Sequence, residues 1–165
     1  MLRILFVGLL TLPFSSAAVT AEEAENPHAI PADAKAILEK AERIELFALH
    51  PERPTDAPKD GFHGWTVLGK TTVEKADARK ALTAAFEKGV TEYTDLGAKC
   101  FDPRHGIRAT HDGKTADFLI CFACAHTYVY VDKTPERKIL VSRSPAAVFN
   151  KILKDAKVNV DEEKE

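Results

Sequence analysis

Ile44, Leu46 and Ala48 alternate with Glu45, Phe47 and Leu49 along the chain. A period of two predicts a strand. Ahead of it, Pro31 and Asp33 are start signals for a short helix through Lys40, with Ile37 and Leu38 facing inward. Pro51, Pro54, Pro58 and Gly61 interrupt the pattern and predict a loop over 51–61. A second strand is expected from Trp65 to Thr71. Helical spacing then returns at Ala78, Ala81, Leu82, Ala85, Phe86 and Gly89, with Asp77, Arg79, Lys80 and Glu87 opposite. Gly89 weakens the end of that helix.

His111-Asp112-Gly113-Lys114 places Asp-Gly between two strand-like runs. Asp-Gly suits the type I′ turn, whose central residues both need positive φ. A two-residue loop there sets Arg108 opposite Asp117 and Thr110 opposite Thr115. Both are favourable cross-strand pairs. The second arm, Ala116 to Val131, is apolar on both faces and reads as one long central strand. Lys133-Thr134-Pro135-Glu136 turns the chain, and Ile139 to Val141 make a last strand. Ser144 is the expected N-cap of a final helix, with Pro145 at its first position and an apolar stripe of Val148, Phe149, Ile152, Leu153 and Ala156. The order is α-β-β-α-β-β-β-α. It predicts an α+β domain: a mostly antiparallel sheet of about five strands with two or three packed helices.

The N-terminus changes the picture of where this domain resides. Arg3, then an apolar run from Ile4 to Leu12, then small residues at Ser16-Ala17-Ala18 and Val19-Thr20-Ala21 follow the order of a secretory signal peptide. The apolar run is too short to cross a bilayer, which takes about 20 apolar residues. The expected organisation is a signal peptide over 1–21, a flexible leader over 22–30, one domain over 31–158 and a charged tail over 159–165. The setting is then periplasmic or secreted. With 23 basic and 25 acidic residues the charge is nearly balanced. The chain has no basic stripe to hold nucleic acid, and its sequence predicts no membrane span.

The candidate chemistry lies between the three cysteines, Cys100, Cys121 and Cys124. Cys121-Phe122-Ala123-Cys124 is a CxxC, but inside a predicted strand its two side chains point to opposite faces and cannot bond each other. Redox CxxC thiols are usually activated at a helix N-terminus, which is not expected here. A bulge at Pro103 or Gly106 would add one residue to the first arm and set Cys100 opposite Cys124. A Cys100–Cys124 disulfide is then favoured in an oxidising compartment, with Cys100–Cys121 the lesser alternative. Cys121 is left over, as a buried thiol or as a reactive one.

Two readings compete with the disulfide. Cys124 or Cys121 with His105 makes a candidate nucleophile–base pair for a thiol-dependent enzyme. Cys100, Cys124, His105 and His126 offer enough ligands for tetrahedral zinc, although the spacing is not that of a finger or ribbon. Arg104 can grip an anion and His105 titrates near neutral pH, so both are candidate ligand-binding residues. The alternative is that they pair with local carboxylates such as Asp102. Trp65, beside Gly64, is either a ligand platform or a core aromatic.

Cys100-Phe101-Asp102-Pro103-Arg104-His105 followed by Ile120-Cys121-Phe122-Ala123-Cys124 resembles a motif of small exported bacterial proteins of unknown function. The likeness covers about 25 residues, with a weaker echo in Phe62-His63-Gly64-Trp65. It implies a bacterial, periplasmic setting and no particular activity. The core pattern is complete, and no full catalytic constellation is present. The functional expectation is therefore a non-catalytic exported module that binds a protein or small ligand. The contrasting expectation is the thiol- or metal-dependent enzyme.

Overall fold

The computed structural model describes residues 28–93 and 97–161, and these hold nine elements where the patterns predict eight. They are α1 (Ala32–Lys40), β1 (Arg43–Leu49), β2 (Val67–Thr72), α2 (Ala76–Glu92), β3 (His105–His111), β4 (Lys114–Cys121), β5 (His126–Val131), β6 (Thr134–Leu140) and α3 (Ala146–Asp155). The signal peptide expected over 1–21, most of the leader and residues 162–165 lie outside the described residues.

The six strands form one open antiparallel sheet in the order β2-β1-β3-β4-β5-β6. The fold is α+β, with one strand more than expected. Its main core lies on the helix-covered face. Ile44, Leu46 and Ala48 of β1, Ile107 and Ala109 of β3, and Phe118 and Ile120 of β4 pack there with Leu82 and Phe86 of α2 and Phe149 and Leu153 of α3. Ile30 from the leader is buried in this core, and Val160 from the tail packs against it. The folded unit thus reaches slightly past both expected boundaries. Among the described residues no helix is long and apolar enough to cross a membrane.

The second face of the sheet is covered by a loop rather than by helices. Phe62 and Trp65 join Phe47, Leu49 and Leu119 in a smaller cluster. Phe62 stacks on Phe47 with ring centroids 4.5 Å apart. Trp65 is buried at 6 % exposure and packs as a core aromatic.

Asp112 and Gly113 have φ of 47° and 75°, and the Arg108–Asp117 and Thr110–Thr115 pairs form as the type I′ turn requires. The same register holds unbroken from His105–Ile120 to His111–Lys114, so no bulge interrupts β3. The expected long strand over 116–131 is instead two. The chain bends back over Phe122–Ala125, with Ala125 N–H donating to Phe122 O and Ala125 at φ 59°. The turn after β5 uses Asp132 and Lys133, both at positive φ, and Pro135 lies inside edge strand β6. Pro is tolerated on an edge because no neighbouring strand needs its missing N–H.

Two helix limits also differ. Helix α2 runs through Gly89 to Glu92. A Cβ at Gly89 would come within 2.5 Å of Pro145 Cγ, so the glycine lets the N-terminus of α3 approach closely. The N-cap of α3 is Pro145, not Ser144. The Ser144 hydroxyl is turned toward Glu92 and Ser142 instead.

Candidate functional site

The cysteines meet where the segment before β3 crosses the β4–β5 turn. Ala98 N–H donates to Cys124 O at 3.1 Å. Gly97, at φ 62°, fits closely against the His126 ring, where a Cβ would lie 2.5 Å from Nε2. Cys100 Sγ then comes to 2.8 Å from Cys124 Sγ. Both thiols are free, and a covalent S–S bond is shorter, at about 2.05 Å. Cys124 is buried and Cys100 is exposed.

The expected neighbours are therefore together, but by a different route. No bulge brings Cys100 to Cys124. Strand β4 ends at Cys121, and the following turn carries Cys124 across. That turn also overturns the opposite-face argument for the CxxC. Cys124 N–H donates to Cys121 Sγ at 3.1 Å, and the Cys121 side chain lies close enough to act on the Cys124 thiol. All three sulfurs belong to one corner of the sheet.

The electrostatics of this corner raise the Cys124 and Cys100 thiols. Burial pushes the Cys124 thiol above its ordinary range and outweighs the hydrogen bonds from Cys100 and from the Asp102 backbone. The Cys100 thiol is also raised, chiefly because it is hydrogen-bonded to Cys124. Neither Cys100 nor Cys124 itself opens a helix, the usual place of an activated thiol.

Of the two histidines, His105 is engaged on the helix side and His126 lies at the corner itself. His105 opens β3 on the helix side, where its Nε2–H donates to Asn150 Oδ1 of α3 at 2.7 Å. Phe122 and Phe149 enclose its ring. Burial lowers its pKa to about 4, so it is neutral at pH 7. His126 pairs across the sheet with Cys121 and is hydrogen-bonded to the Cys100 backbone. Its pKa is lowered by burial and then by Lys138. Arg104 lies 3.9 Å from the Asp161 carboxylate and takes only a long contact to the Asp102 carbonyl. Neither Arg104 nor His105 pairs with the Asp102 carboxylate.

Among the described residues, one group of three candidate metal ligands forms at this corner. It is Cys100, Asp102 and Cys124, with ligand atoms within 4.8 Å of one another. Neither His105 nor His126 belongs to it. Structural zinc takes four protein ligands, so the set is one short of that pattern.

A second polar cluster lies under the loop on the other face. His63 Nε2–H donates to Asp117 Oδ2 at 2.8 Å, and the His63 ring stacks on Tyr130 at 3.7 Å. Arg108 grips both oxygens of the same carboxylate, at 2.8 and 2.6 Å. His63 and Gly64 occupy a tight turn at φ 50° and 84°, closed by reciprocal Phe62–Trp65 backbone bonds. The Arg108–Asp117 half of this cluster was visible in the hairpin register. The contribution of His63 was not, because nothing local says that the loop folds onto the sheet. No protein-family model, curated protein or solved structure matches the chain.

Proposed function

We propose that this is an exported, non-catalytic binding or envelope-associated module whose Cys100–Cys124 pair becomes a structural disulfide in an oxidising compartment. The observation that carries the reading is the approach of the two sulfurs to 2.8 Å, together with the upward shift of both thiols. Sulfurs placed this way are suited to joining each other rather than to attacking a substrate. The charged and small segments before the domain, and the resemblance to exported bacterial proteins, support the periplasmic or secreted setting.

The histidines support the non-catalytic part. His105 is spent on Asn150 and His63 on Asp117, each within a packed aromatic surround. The partner is a protein or small ligand. The test is turnover by the purified mature domain on thiol, ester and peptide substrates. The reading predicts no turnover above background. Turnover that Cys124→Ser abolishes would overturn it in favour of the thiol enzyme. Stoichiometric zinc in protein purified without a His tag would overturn it in favour of a metal centre.

A further inference from the structure

We propose that Cys121 is an internal exchange thiol, able to take over the bond to Cys124 and release Cys100 to solvent as a free, reactive sulfur. The inference rests on the preceding reading that a Cys100–Cys124 disulfide forms. It assigns a role to the odd cysteine, which that reading leaves as packing.

The geometry points to this through one shared partner. Cys124 touches Cys100 on its exposed side, and its own backbone N–H binds Cys121 Sγ on its buried side. Cys121 and Cys124 flank a turn of two intervening residues and no longer sit on opposite faces of a strand. Cys124 thus has two cysteine neighbours, the exposed Cys100 at its own sulfur and the buried Cys121 at its backbone N–H.

The exchange is balanced within the chain. Cys121 loses its proton and its sulfur attacks Cys124 Sγ. The Cys121–Cys124 bond forms as the Cys100–Cys124 bond breaks. The electron pair of the broken bond leaves on Cys100, which takes up a proton. One disulfide is present before and after, so no oxidant or reductant is consumed. The product differs in exposure. A buried thiol has been replaced by an exposed one, on a segment that stays in place through the Ala98 N–H to Cys124 O bond and the Phe101–Tyr128 ring contact. Such a thiol would exchange with a disulfide on a partner protein: the mixed bond to Cys100 forms as the partner's own S–S bond breaks, and the partner's second sulfur leaves as a thiol.

The experiment is time-resolved alkylation of the oxidised, native domain with iodoacetamide near pH 8.5, followed by acid quenching and peptide mapping. The expected result is alkylated Cys100 in molecules carrying a Cys121–Cys124 bond, increasing with time. Cys121→Ala, checked for folding by circular dichroism, is expected to cut Cys100 alkylation at least tenfold. Alkylation confined to Cys121, with the Cys100–Cys124 bond retained throughout, would overturn the relay while leaving the structural disulfide standing. Three alkylated cysteines in freshly exported protein would remove the disulfide itself. The wild-type map decides between these outcomes even if the variant does not fold.

Discussion

His63 Nε2 lies 2.8 Å from Asp117 Oδ2, and this contact ties the loop after β1 to the middle of the sheet. Asp117 is buried at 1 % exposure. Burial alone would raise its pKa, but the hydrogen bonds from Arg108 and His63 outweigh that and hold it below 3.8. A carboxylate depressed in this way contributes stability that is present above its unfolded pKa and lost as pH falls through its folded value. We therefore predict acid loss of stability below about pH 4, reduced in Asp117→Asn. Asp117→Ala strips Arg108 and His63 of their common acceptor and should cost on the order of 2 kcal/mol. Urea unfolding at pH 7 and pH 3.5 measures both effects.

Gly106 tests the packing of the same loop. A Cβ there would meet Phe62 Cε1 at 2.7 Å, on the ring that stacks on Phe47. Gly106→Ala should push Phe62 off the sheet and destabilise the fold by about 1–3 kcal/mol. The matching readout is a rise in Trp65 exposure, measured as a red shift and easier quenching of its fluorescence. Unchanged stability and emission would mean that the loop does not seal this face.

His105 gives a second pH dependence, in a different window. Its folded pKa is about 4, below the ordinary 6.5. Between those values the unfolded chain binds the proton and the folded chain does not. Stability therefore falls as pH drops from 6.5 toward 4, by up to about 3 kcal/mol. The His105 ring resonances should not titrate above pH 5 by NMR. His105→Gln should flatten this part of the stability profile. A His105 titration near 6.5 would contradict the buried, Asn150-bound ring.

What the sequence revealed, and what it hid, divides along the turns. Asp112-Gly113 carries residues suited to positive φ, so the hairpin and its register were readable to the residue. The turn at Phe122–Ala125 is built from apolar residues with no Gly, Pro, Asn or Asp, and Ala125 takes positive φ without advertising it. That silence fused β4 and β5 into one strand. It also hid the true relation of Cys121 to Cys124. Their meeting with Cys100 was anticipated through a bulge that does not exist, because a bulge and a buried turn both shift the sequence alignment of the two arms. The loop over the second face was hidden for another reason. Its anchor, His63 to Asp117, spans 54 residues and has no local signature.

The central claim is the cross-link, and the most direct measurement is the mass of the exported protein alkylated under denaturing conditions without prior reduction. The account predicts one alkylated cysteine per chain, rising to three after reduction. Reduction should also lower stability by roughly 3 kcal/mol, as expected for closing a loop of this length. Three alkylated cysteines before reduction would contradict the claim.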